Sequence, residues 1–98
     1  MKPLYDYISE SILPMPELGM DCIGIDGGKY TVVDYCDNIE KEAVRKICKK
    51  YDSTGAIWDE WRRGSLPKKC ILVALKDDED DTTSVWQWDS TWIKKAWM

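Results

Sequence analysis

One stretch, residues 70 to 89, limits the possible folds more than any other part of the chain. Its first part, Cys70–Leu75, has no polar side chain, which is typical of a β-strand covered on both faces. In its last part Trp86 and Trp88 stand two positions apart, so a strand there would carry both on one face. The charged residues 76–81 between the two parts predict a solvent-exposed hairpin loop. The stretch therefore predicts two paired strands at the centre of a sheet.

A second hairpin is predicted over Met20–Cys36. Two consecutive glycines, Gly27 and Gly28, suit a type I′ turn, in which both central residues take positive φ. The register that follows from this two-residue loop pairs Ile25 with Tyr30, Ile23 with Val32, and Cys22 with Val33. In that register Cys22 and Cys36 point to opposite faces, so they cannot form a disulfide bond.

Two helices are predicted between the hairpins. Apolar residues recur every three or four positions from Ile39 to Tyr51, and Asp37 precedes Glu40 at the spacing of a capping box. A second helix is predicted over residues 54–63, where Gly64 offers a C-terminal stop. Its side chains include Trp58 and Trp61. After the second hairpin, the apolar residues Trp92, Ile93, Ala96 and Trp97 recur at helical spacing and predict a short C-terminal helix.

These patterns predict one α+β domain that spans residues 1–98. A chain of this length suits a single hydrophobic core. The predicted architecture is a four-stranded antiparallel sheet made from the two hairpins, with two helices between them and a short helix at the C-terminus. A further short helix, with an irregular arm as the alternative, is predicted to begin at Pro3 and to end at Pro14.

Cysteine and histidine usage limits the chemistry. The cysteines at positions 22, 36, 48 and 70 form no Cys-x-x-Cys pair and the chain has no histidine, so we predict buried, reduced thiols, no metal site and no cofactor. Without histidine the Ser-His and Cys-His nucleophile pairs are excluded, which disfavours an enzyme and leaves no catalytic residue to name. Catalysis by carboxylates, lysine or tyrosine stays open. The chain has neither a membrane-spanning apolar run nor a signal-peptide core, which predicts a cytoplasmic protein with no membrane partner.

Two features stand out as candidate binding sites. The chain has six Trp and no Phe, and aromatic side chains carry much of the binding energy at protein interfaces. The Trp residues near charges and element ends are the candidates for partner binding, namely Trp61, Trp92 and Trp97. The second candidate is the acidic loop, which could meet a basic surface and consists of Asp77, Asp78, Glu79, Asp80 and Asp81. It contains no glycine, which disfavours a calcium loop.

Together these features favour a non-catalytic protein-binding module, in the form of a small acidic inhibitor or immunity-type protein that covers a basic site on its partner. The alternative is a small enzyme or ligand-binding domain with a Trp-lined pocket for a saccharide or a nucleotide. Nucleic acid is a disfavoured partner. Although residues 41–69 are rich in Lys and Arg, the whole chain has a net charge of −4 and a pI of about 4.8, which opposes binding to a polyanion.

Overall fold

The computed structural model describes residues 13–98, and the helix predicted to begin at Pro3 lies outside them. Within residues 13–98, five strands and two helices occur in the order β1, β2, α1, α2, β3, β4, β5. The strands are β1 (Asp21–Gly24), β2 (Lys29–Cys36), β3 (Leu72–Asp77), β4 (Thr83–Gln87) and β5 (Ile93–Trp97), and the helices are α1 (Lys41–Tyr51) and α2 (Ala56–Arg62).

The strands form one antiparallel sheet in the order β4-β3-β2-β1-β5. The predicted α+β class and the two predicted hairpins are confirmed, whereas the predicted count of four strands is wrong. Leu72 to Leu75 on β3 are fully buried, which confirms a strand covered on both faces. Its hairpin partner β4 lies at an edge of the sheet, so the predicted central position of this strand pair is wrong.

The predicted C-terminal helix is instead strand β5, which pairs with β1. Ile93 pairs with Gly24, whereas Lys95 pairs with Ile23, so one extra residue of β5 forms a bulge. The bulge allows Ile93 and Ala96, which are three residues apart, to pack in the same apolar cluster. Residues three apart also share a face of a helix, and the apolar spacing therefore predicted the wrong element.

The β1–β2 hairpin differs from the predicted register by an odd number of residues. The observed pairs are Asp21 with Thr31, Cys22 with Tyr30, and Ile23 with Lys29. The connection is longer than a two-residue turn, because the Gly24 N–H donates to the Gly28 carbonyl at 3.0 Å. Asp26 stabilises this loop by accepting hydrogen bonds from the Gly28 N–H at 2.9 Å and from the Tyr30 hydroxyl at 2.7 Å. Because side chains alternate along a strand, this odd shift places Cys22 on the same face as Tyr30 and Val32 instead of the opposite one.

Apolar residues cover both faces of the sheet. On the helix face, α1 packs over β2, β3 and β4. The buried residues of this face are Val44, Ile47, Cys48, Ile57, Leu66, Cys70, Leu72, Ala74 and Val85. They include the predicted apolar side of α1, which is confirmed. Cys36 packs against this cluster and Cys22 against the other, so their predicted orientation to opposite faces is confirmed despite the changed register.

The second face of the sheet is concave. Its buried residues are Met20, Cys22, Tyr30, Val32, Val73, Leu75, Trp88 and Ile93. A Cβ atom added to Gly24 on β1 would lie 3.2 Å from the Trp86 ring on β4. In a flat sheet the backbones of these two strands would be about 14 Å apart, because two other strands lie between them, and a Trp side chain alone cannot span that distance. The sheet therefore curls until the β1–β2 connection approaches the β4 edge.

The predicted start of α1 and the predicted end of α2 have different outcomes. The predicted capping of α1 by Asp37 is wrong, because the Asn38 side chain instead accepts a hydrogen bond from the Glu40 N–H at 3.0 Å and no side chain caps the helix itself. The predicted stop at Gly64 is confirmed. Gly64 has a φ of 71° and donates to the Trp61 carbonyl, and the Ser65 N–H donates to the Glu60 carbonyl. These two hydrogen bonds complete a Schellman motif.

Candidate functional site

The acidic residues 77–81 form an ordered turn between β3 and β4. The Asp77 carboxylate accepts a hydrogen bond from the Glu79 N–H at 2.8 Å. The Asp80 carboxylate accepts from both the N–H and the hydroxyl of Thr82, and these bonds lower the pKa of Asp80. Asp81 takes a φ of 67° and forms an ion pair with Lys76 at 3.0 Å. Much of the negative charge in this turn therefore stabilises the turn itself.

Asp78 attaches the same turn to the neighbouring strand β2. Its backbone N–H donates to the Lys29 carbonyl at 3.1 Å, and its carboxylate accepts from the Thr31 hydroxyl at 2.8 Å. Two hydrogen bonds to one strand fix the position of the Asp78 carboxylate. The turn consequently presents this charge at a defined place beside the sheet.

Trp97 lies on the same part of the sheet as Asp78. On β5 it pairs with Asp21 of β1, and Asp21 pairs with Thr31 of β2. The Thr31 hydroxyl is the group that donates to the Asp78 carboxylate. Trp97 and Asp78 line one small cavity of about 150 Å³. We call this region the Trp97 surface and define it by Asp21, Lys29, Thr31, Asp78 and Trp97. Two residues predicted from unrelated sequence features are therefore neighbours in the structure.

The Trp97 surface combines an exposed aromatic ring with mixed charges. Trp97 is 38% exposed, and the Lys95 ammonium lies 5.8 Å from its ring centroid. The chief helix contacts of the described residues fall on β2, β3 and β4, so this side of β1 and β5 has no described helix above it. An aromatic ring that remains accessible beside fixed carboxylates is the arrangement found at many protein interfaces.

Cys22 also lines the cavity of the Trp97 surface, but its thiol is unsuited to nucleophilic chemistry. Burial, and after it the charges of Asp21 and Asp78, raise the pKa of the Cys22 thiol from its ordinary value to about 12. The thiol is therefore protonated at neutral pH, and a protonated thiol is a weak nucleophile.

The other three cysteines behave in the same way. Burial is the main cause that raises the pKa of Cys48 to about 12 and that of Cys70 to about 11, and it also raises the pKa of Cys36. All four cysteines are free; Cys22, Cys48 and Cys70 are buried, whereas Cys36 is half-buried. Within residues 13–98 no group of three or more metal-binding side chains is close enough to hold an ion.

Trp92 lies in a larger cavity on another part of the molecule. This cavity has a volume of about 370 Å³ and runs along β4, and we call it the edge groove. Its lining residues are Ile25, Asp26, Ile57, Glu60, Val85, Trp86, Gln87 and Trp92. Trp92 is 41% exposed there. The contribution of Trp86 was not predicted from the sequence, because it depends on the curl of the sheet.

Trp61 takes no part in either of these surfaces. Its ring stacks on Trp58 with centroids 5.3 Å apart, and its indole N–H donates to the Ile39 carbonyl at 2.7 Å. Both partners belong to the helix-face packing. The three candidate Trp residues are thus separated: Trp97 lies beside Asp78, Trp92 lines the edge groove, and Trp61 packs between the helices and the chain that precedes α1.

Comparison of the chain with protein-family models, with curated proteins and with solved structures found no match. In the described part of the chain, neither helix has the length and the apolar character that crossing a membrane requires.

Proposed function

We propose that the chain is a non-catalytic protein-binding module whose Trp97 surface covers a basic site on a partner protein in the cytoplasm. The observation that carries the proposal is the position of Trp97 beside Asp21 and Asp78 on one side of the sheet. A small acidic inhibitor or immunity-type protein is the specific form that we favour, in agreement with the net charge of −4.

The proposed roles of the aromatic and acidic residues differ. Trp97 would be the anchor, because a Trp ring that leaves water on binding contributes strongly to affinity. Asp21 and Asp78 would attract a basic partner and speed its association. The hydrogen bond from Thr31 holds Asp78 in place before binding, and such preorganisation reduces the entropy that is lost on association.

The proposal can be tested by kinetics on a captured partner. Affinity capture with the intact protein would provide the partner, and surface-plasmon measurements would give its association and dissociation rates. Changing both Asp21 and Asp78 to Asn should slow association and flatten its dependence on salt. The control changes Asp37 to Asn and Glu40 to Gln, which removes two exposed charges at the far end of β2. Equal effects of the two double variants would contradict a localised acidic surface.

The alternative function is binding of a small ligand in a Trp-lined pocket, and the edge groove is the observation that favours it. Two carboxylates, Asp26 and Glu60, line this groove, and no basic residue of the described part of the chain does. Phosphate groups would be repelled there, which disfavours a nucleotide. Fluorescence titration of the Trp residues with a panel of oligosaccharides and nucleotides would detect either class of ligand.

A further inference from the structure

The edge groove follows the border of the sheet rather than one of its faces. Val85, Trp86 and Gln87 are consecutive on β4, and all three line the groove. Consecutive side chains of a strand point to opposite faces, so a cavity that touches all three must run along the strand edge. The remaining walls include Ile57, which belongs to the helix-face cluster, and Trp92, which directly precedes β5.

The backbone of β4 has hydrogen-bonding groups that point into this groove. The Trp88 N–H donates to the Ile71 carbonyl, and the Asp77 N–H donates to the Thr82 carbonyl. Hydrogen-bonded pairs alternate in an antiparallel ladder, so residues 84, 86 and 88 bond to β3 while Val85 and Gln87 direct their N–H groups outward. No other strand of the described chain lies beyond β4. Outward N–H groups on an edge strand can pair with an added strand.

The charges of the groove indicate what kind of strand would fit. Among the described residues that line the groove, Asp26 and Glu60 are the only charged ones, and both are acidic. The Trp86 and Trp92 rings offer aromatic faces, which attract cations. The hydrogen bonds from Tyr30 and Gly28 lower the pKa of Asp26, so this carboxylate stays ionised at neutral pH. A cationic side chain would therefore find both aromatic rings and negative charge along the same groove.

We propose that the edge groove binds an extended peptide segment of a partner protein, which adds to β4 as a sixth strand and places a Lys or Arg side chain against Trp86 and Trp92. This inference goes beyond the proposed function, because it concerns a separate surface and a linear segment rather than a folded basic site. Backbone pairing would supply affinity that is largely independent of sequence, and the cationic side chain would supply specificity.

The test uses a defined probe, a short acetylated and amidated peptide of alternating Thr and Val with one central Arg. Its binding is followed in amide and indole NMR spectra of the full chain. We expect shifts of the Val85 and Gln87 amides and of the Trp86 and Trp92 indole signals. A peptide with Glu in place of the central Arg should bind at least about tenfold more weakly, since the cation–aromatic attraction becomes a repulsion.

One pair of variants tests the backbone pairing, and a second pair tests the recognition of the cationic side chain. Gln87→Pro removes an outward N–H without removing a bond to β3, and it should abolish binding, whereas Gln87→Ala should retain it. Glu60→Gln should weaken binding of the Arg peptide but not of the Glu peptide. The matched control is Glu42→Gln on α1, which removes the same charge from an exposed position outside the groove.

Five results would overturn the inference, and the first four concern the peptides. They are no shift at about millimolar Arg peptide, equal binding of the Arg and Glu peptides, shifts centred on Trp97 instead of Trp86 and Trp92, and undiminished binding to Gln87→Pro. Ethylguanidinium alone binding as tightly as the peptide would also exclude strand addition. Because none of these variants touches the Trp97 surface, a negative result here leaves the proposed function to its own test.

Discussion

The two halves of the sheet differ in regularity and in what covers them. Strands β3 and β4 pair without interruption, and helices pack over their outer side. Strands β1 and β5 pair through a bulge, and their outer side carries the exposed Trp97 and the half-buried Asp21. Both halves contain buried core residues, but in the described part of the chain only the covered half has helices packed over it. The uncovered half presents an aromatic ring and the Asp21 carboxylate beside the fixed Asp78 carboxylate of the β3–β4 turn, which is why we place the proposed interface there.

This difference predicts that the largest losses of stability come from the covered half. Ile47 is buried between α1 and the sheet, so Ile47→Ala should lower the free energy of unfolding by about 2–5 kcal/mol. Lys49 lies on the exposed side of the same helix, and Lys49→Ala should change it by less than about 0.5 kcal/mol. Urea unfolding of both variants measures the two effects. Comparable losses would mean that α1 packs with another face toward the sheet.

The covered half is also the half that the sequence could predict. The continuous apolar run of β3, the alternation of β4 and the helical spacing of α1 are regular patterns, and each was predicted correctly. β5 and the β1–β2 register were not, because a bulge at one strand pair and the Asp26 hydrogen bonds in the connection break that period. Periodicity describes regular pairing, and it carries no signal for an inserted residue.

The candidate sites show the same limit. Trp97 and the acidic loop could be singled out by composition and position, but their proximity depends on β5 pairing with β1 and on Asp78 bonding to Thr31. The edge groove could not be predicted at all. It requires the curl that brings Trp92 and Asp26 toward β4, and this curl is a property of the whole sheet.

An intermediate effect is expected where the two halves meet. A Cβ atom at Gly24 would lie 2.8 Å from the Asp26 carboxylate and 3.2 Å from the Trp86 ring. Gly24→Ala should therefore cost about 1–3 kcal/mol of unfolding free energy through overpacking. Combining it with Trp86→Phe, which shortens the ring, should recover part of this loss relative to the sum of the single variants. Strict additivity in thermal or urea unfolding would contradict the curl of the sheet.

The smallest effect is expected at the exposed β1–β2 connection and depends on pH. The Tyr30 hydroxyl, followed by the Gly28 N–H, lowers the pKa of Asp26 below its ordinary value. The folded state therefore favours the carboxylate. Its contribution to stability is present above the pKa of the unfolded chain and is lost as the pH falls through the lower pKa of the folded state.

Tyr30→Phe removes the main cause of that shift. We expect the pKa of Asp26 to rise toward its ordinary value in an NMR titration of the side-chain carboxyl carbon, and the acid dependence of stability to weaken slightly. Asp80, whose low pKa arises from Thr82, serves as the internal control and should keep its titration midpoint. A pKa of Asp26 that is the same in both proteins would show that the Tyr30 hydroxyl does not bond to it in solution.

The most direct test of the proposed interface compares two exposed aromatic residues, Trp97 on the edge strand β5 and Tyr35 on the inner strand β2. Trp97 is 38% exposed and Tyr35 is 40% exposed, so replacing either by Ala removes a similarly part-buried ring and should lower the free energy of unfolding by a similar amount. Surface-plasmon kinetics on the captured partner should show that Trp97→Ala speeds dissociation by about fivefold or more, whereas Tyr35→Ala leaves it unchanged. Dissociation that is unaffected by Trp97→Ala, in a variant that remains folded, would contradict the central claim that this surface binds the partner.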